Sequence, residues 1–263
     1  MMRTSNPALN ANAFAGAQSF AGGEAMTIQG TVNKTFFLLF LAVLTGSWVW
    51  GKAFAPAVGY DGLGPAYGTT PAPAAAVGGL IMIGVFGGFI AALITVFKKQ
   101  WAPITAPVYA LLEGLVLGGI SAYFEMSYPG IVVQAVALTF GTLFCLLMAY
   151  KSGLIKVTDN FRLGIVAATG AICLIYLVSW IMSFFGSGLS FIHAATPFGI
   201  VFSLIVVGIA ALNLVLDFDF IEKGAHMGAP KYMEWYGAFG LMVTLIWLYL
   251  EMLRLLAKMN SRR

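Results

Sequence analysis

Seven runs of about twenty apolar residues, nearly empty of charge, divide the chain between Lys34 and Leu256. A helix needs a run of about that length to cross the hydrocarbon core of a bilayer. The pattern predicts an all-α, polytopic membrane protein with seven transmembrane helices in one integrated bundle. Composition agrees, with 60% of the 263 residues hydrophobic and 9% charged. A soluble domain carries about a quarter, so this chain lacks the polar surface to cover itself in water. Its net charge of +4 does not imply nucleic-acid binding, because Lys and Arg in such a protein chiefly set orientation. The bilayer itself is the first partner.

The spans are placed at residues 34–50, 77–97, 104–124, 131–150, 163–185, 196–221 and 234–256. Residues 1–30 read as a disordered polar cytoplasmic tail, 31–258 as the transmembrane domain and 259–263 as a basic tail. Residues 53–76 are rich in Gly, Pro and Ala and read as an extended loop. With the N-terminus inside, the cytoplasmic segments hold the larger share of Lys and Arg, so the positive-inside rule favours that orientation; the basic C-terminus dissents. Cys145 and Cys173 lie in apolar segments, with no metal spacing, and are expected to be small buried residues. Gly78, Gly79, Gly84, Gly87, Gly88, Gly114, Gly118, Gly119 and Gly208 fit faces where membrane helices approach closely.

Chemistry concentrates where the sixth span ends. No charge interrupts the chain from Thr196 until Asp217, and Asp219 and Glu222 follow. An acid at or within a bilayer is costly and tends to face a protein interior or a water-filled path. On a helix Asp219 and Glu222 share a face, whereas Asp217 and Asp219 diverge by about 200°. Asp217 is therefore expected to point inward as a titratable gate or cation site. Glu113 stands alone midway through the third span and must be protonated, paired or hydrated, with Asn213, Ser121 or Thr244 as candidate partners. Glu251 precedes Arg254 by three residues, which suits an ion pair, and is also a candidate for the mouth of a pathway. Glu234 opens the seventh span, where a carboxylate suits the helix N-terminus.

Asp217 and Asp219 are candidates for transient Ca²⁺ binding, since Ca²⁺ takes carboxylate and carbonyl oxygens, although no EF-hand loop is present. Desolvated or mutually repelling carboxylates take up protons at higher pH than free ones, which makes Asp217, Glu113, Asp219 and Glu251 candidate ion and pH sensors. His193 and His226 lie in loops without metal partners at a recognised spacing. No nucleophile–base constellation can be assembled, so an enzyme is not expected, nor is a cofactor; Ca²⁺ enters only as a permeant ion.

Several segments carry a family resemblance: LNLVLDFDFIE at 212–222, GAPKYMEWYGAFG at 228–240, WLYLEMLRLL at 247–256, LEGLVLGGIS at 112–121, YPGIVVQA at 128–135 and RTSNPAL at 3–9. Together they resemble bacterial members of the Bax inhibitor-1/YccA family. The resemblance implies a seven-helix fold with the last helix central. It also implies a pH-sensitive leak of Ca²⁺ through the bacterial inner membrane. In that family an aspartate near the end of the sixth helix pairs with another in the seventh. Asp217 matches the first, but Thr244 stands where the second is expected, and a threonine supplies no charge. Glu113, Asp219 and Glu251 are the candidates to substitute. Lys98 and Lys99 are candidates for the family's basic latch. Two rival functions stay open: a regulator that binds another membrane complex, such as a quality-control protease, and a proton-coupled transporter of a small solute.

Overall fold

A computed structural model describes residues 24–54, 56–61, 64–71, 74–186 and 194–262. Most of the predicted polar tail (residues 1–23) and His193 lie outside the described residues. Seven helices among those described are long and apolar enough to cross a membrane. They are α1 (Ile28–Ala53), α2 (Ala74–Phe97), α3 (Ala102–Ser127), α4 (Ile131–Lys151), α5 (Asp159–Phe184), α6 (Pro197–His226) and α7 (Met233–Asn260). The all-α membrane architecture is therefore the one the apolar runs predict. The helices overrun the predicted spans at several ends, because polar caps extend them past the apolar stretch. Thr27 caps α1 by accepting from the Gly30 N–H, and Thr158 caps α5 by accepting from Phe161, each satisfying an otherwise orphaned donor.

Three details differ from expectation. Residues assigned to the polar tail already take part in the fold: Ala25 bridges Pro230, and Met26 is buried. The extended loop contains a hairpin, β1 (Pro56–Asp61) antiparallel to β2 (Gly64–Pro71), with Val58 opposite Tyr67 and Tyr60 opposite Pro65. Its Val, Tyr and Thr residues favour strands and outweigh the Gly and Pro around them. Cys145 and Cys173 are exposed rather than buried. In a membrane protein an apolar segment does not imply a protein-facing side chain, because the lipid accepts the outward face.

The contacts group the chain into two compact units, residues 1–123 with 221–242, and residues 124–220 with 243–263. In the first, α1 and α3 meet through small residues. Gly46 on α1 faces Gly114 and Gly118 on α3, and Gly84 and Gly119 make further close approaches between α2 and α3. The small-residue faces are thus real at these positions, whereas Gly78, Gly79 and Gly208 have open space around them. Thr95 on α2 and Thr105 on α3 share a buried hydrogen bond of 2.7 Å. In the second unit α4, α5 and α6 pack with the later part of α7. Half of the apolar window of α3 and of α7 is buried, 50% each, against 17% for α4 and α5. α3 and α7 are thus the two most buried of the seven helices.

The turn into α4 is built by Glu125. Its carboxylate accepts from the Gly130 and Val132 N–H groups at 2.6 and 3.1 Å, and Gly130 takes φ +85°. An L side chain there is strained. Gly130→Ala is expected to cost about 1 kcal/mol, read as a small drop in unfolding temperature in detergent.

A candidate ion site at the end of the sixth span

Asp217 lies in the last third of α6, within the second unit. Its carboxylate is hydrogen-bonded to the Thr244 hydroxyl of α7, while its Oδ2 is buried and has no partner among the described residues. Thr244, which stands where the resemblance leads one to expect a second aspartate, thus faces Asp217 with a neutral hydroxyl. One turn earlier on α6, the Asn213 amide donates to Thr169 Oγ1 of α5 at 2.8 Å and to the Ile209 carbonyl at 2.9 Å.

Asp219 points elsewhere, as the angular divergence requires. It is buried and accepts from Arg162 at the start of α5 at 2.5 Å. Glu222 is half exposed, 3.9 Å from His226, which is the behaviour of a carboxylate where a helix leaves the membrane. Lys98 and Lys99 lie over the rings of Trp101 and Tyr236 at 4.7 and 5.2 Å. The basic residue that meets an acid of this group is instead Arg162.

Glu251 forms the predicted pair with Arg254, at 2.5 Å, but not at an exposed surface, because its side chain is only 2% exposed. The Tyr176 hydroxyl of α5 donates to Glu251 Oε1 at 3.1 Å and accepts from Arg254 at 2.9 Å. Glu251 Oε2, like Asp217 Oδ2, is buried without a partner among the described residues. Thus Glu251 does not substitute for the missing aspartate beside Asp217; α5 and its own helix hold it.

Glu113 belongs to the first unit. Its hydrogen-bond partner is Tyr109, one turn earlier on α3, rather than Asn213 or Thr244, which are engaged by Thr169 and Asp217. Glu234 is also in the first unit and does more than cap α7. Fully buried, it accepts from the Thr27 N–H at 2.8 Å, the Thr27 hydroxyl at 2.9 Å and the Lys34 ammonium. Lys231 adds a contact at 3.3 Å. The hydrogen bond to Glu234 holds the exposed Lys231 ammonium above its usual range.

Among the described residues no group of three or more His, Cys, Asp or Glu is arranged to hold a metal ion. Of the two Ca²⁺ candidates, Asp219 is engaged by Arg162, and Asp217 alone offers an open buried oxygen. Arg162, Thr169, Tyr176 and Lys258 were not singled out from the sequence. For the first three the signal is their seven-residue spacing on α5, which puts three polar side chains on one face of an apolar helix.

Seven apolar helices with acids and cations paired along them define, among the described residues, a polytopic membrane protein with ionisable chemistry inside its spans. The model of the family described as Bax inhibitor 1 like matches residues 6–261, and the chain belongs to that family. No curated protein and no solved structure matches it.

Proposed function

We propose that the protein is a passive cation leak of a bacterial inner membrane, with its N-terminus cytoplasmic, Ca²⁺ as the permeant ion and Asp217 as the proton-controlled gate. The observation that carries this reading is the buried, unpartnered Oδ2 of Asp217 beside the Thr244 hydroxyl. A lone acid inside a span has no inexpensive structural role. Ionised, it keeps one hydrogen bond from Thr244 and presents a free oxygen to a cation or its hydration water, the ligand type Ca²⁺ takes. Protonated, it presents no charge.

Thr244 has a further consequence. Two facing aspartates titrate as a pair, in coupled steps. An aspartate facing a threonine has a single proton to exchange. The pH response of flux is therefore expected to follow one protonation step.

The test is Ca²⁺ flux into proteoliposomes between about pH 6 and 8, a window in which desolvated carboxylates titrate. Asp217→Asn, which imitates the protonated form, is expected to hold flux at its acid-limit level at every pH. A pH response that survives in Asp217→Asn would remove Asp217 from the gate. Absence of flux above empty liposomes, with the protein shown to be folded, would sink the leak and favour the regulator of a membrane complex. Saturation by one small solute would favour the transporter.

A further inference from the structure

The second unit carries a polar seam along α5, α6 and α7. Arg162, Thr169 and Tyr176 on α5 are spaced by seven residues, and so are Thr244, Glu251 and Lys258 on α7. Seven residues make nearly two helical turns, so each trio lies on one face in steps of about 10 Å. Every member has a polar partner: Arg162 with Asp219, Thr169 with Asn213, Thr244 with Asp217, Tyr176 with Glu251, and Lys258 with Ser203 and Gly199. On α6 these partners run from Asp219 back to Gly199, about 30 Å at the helical rise, which matches the hydrocarbon thickness of a bilayer.

The seam is electrically polarised. At its Asp219 end, Asp217 and Asp219 stand with Arg162. At the other end Glu251 stands with two cations, Arg254 and Lys258. From Thr169 to Phe184 α5 brings no charged residue, and α6 brings none before Asp217. Tyr176 is the titratable group that α5 turns towards Glu251, and α6 contributes Phe202 and Ser203 at this level.

Lys258 is the unusual member. A lysine close to the end of a spanning helix normally extends its ammonium to water. Lys258 turns inward: it is 5% exposed, and Nζ donates to the Gly199 carbonyl at 3.0 Å and to Ser203 Oγ at 2.7 Å. It thus fixes a positive charge between α6 and α7, on the line of the seam.

We propose that the Lys258 ammonium, backed by Arg254, is a charge barrier that closes the end of the seam remote from Asp217 and sets how strongly divalent cations are refused. The inference rests on the cation-leak reading. Coulomb repulsion scales with the charge of the permeating ion. The barrier to a divalent ion is therefore about twice that to a monovalent one, and removing it multiplies the divalent flux by roughly the square of the monovalent factor.

Lys258→Met and Lys258→Arg are compared with the wild type in proteoliposomes at one pH, with Ca²⁺ and K⁺ fluxes measured separately. For Lys258→Met, a Ca²⁺ gain of about tenfold should accompany a K⁺ gain of about threefold, by the charge scaling. Lys258→Arg keeps the charge and should return the Ca²⁺-to-K⁺ ratio towards the wild type. If Lys258→Met does not fold, Ser203→Ala, which removes one acceptor and frees the ammonium to leave, should raise Ca²⁺ flux more than K⁺ flux. Equal gains for both ions would mean a loosened protein and overturn the barrier, as would an unchanged Ca²⁺ flux. A wild-type flux that responds to Asp217→Asn but not to Lys258→Met overturns only the barrier. Absence of flux in every form overturns the leak with it.

Discussion

Gly118→Leu is expected to leave little folded protein. A Cβ at position 118 would meet the Gly46 carbonyl oxygen at 2.4 Å and the Gly46 Cα at 2.8 Å. Both are backbone atoms, so no side chain can rotate away. One helical turn earlier a Cβ on Gly114 would meet the Ala42 carbonyl at 2.4 Å. Without an ordinary hydrophobic drive between helices in lipid, association depends on such close packing. A full Leu must push α1 from α3, and overpacking of this kind costs about 3 kcal/mol or more. Thermal unfolding in detergent checks it, with Gly141→Ala as the control, because a Cβ there meets nothing within 4 Å. A Gly118→Leu protein that unfolds at the control temperature would falsify the close approach.

Glu234→Ala is the second large effect. The carboxylate is wholly buried, and its loss strips the Thr27 N–H and hydroxyl of their acceptor and Lys34 of its counter-ion. Lys34 is itself only 18% exposed. Removing one partner of a buried pair costs about 3–5 kcal/mol, so the unfolding midpoint should fall steeply. E234Q keeps an acceptor for Thr27 and should cost less. K34M combined with E234L removes both charges and should recover much of the loss, because an apolar pair of similar volume has no uncompensated charge. If the double variant is no better than Glu234→Ala, the ion pair is not the source of the stability.

The spans and the importance of Asp217 were legible because they rest on local rules: the length of an apolar run and the rarity of a charge inside one. Thr244 was legible as a departure from the family pattern, and it does face Asp217. What was hidden depends on which helices are neighbours. Lys98 and Lys99 are candidates for the family's basic latch through the resemblance alone, but they lie over aromatic rings, and the base that meets Asp219 is Arg162, from another helix. Glu251 and Arg254 were readable as an i,i+3 pair, but Tyr176, seventy-five residues away in sequence, and the depth of the pair were not. Glu113 has Asn213, Ser121 and Thr244 as expected partners, whereas Tyr109, one turn away on its own helix, bonds it. The two cysteines were misplaced for a different reason: hydrophobicity separates membrane from water, and it does not separate lipid from protein interior.

That misplacement has a practical consequence. Cys145 and Cys173 are the only cysteines in the chain, and they look outward from α4 and α5, both within the second unit. The native protein therefore offers two thiols to the acyl chains, one on each of two helices. A lipid-soluble thiol-reactive spin label would reach both, while the bilayer keeps water-soluble reagents away. The separation between labels then becomes a spectroscopic ruler across the unit that holds Asp217, readable while the pH is stepped and with no cysteine to remove or introduce.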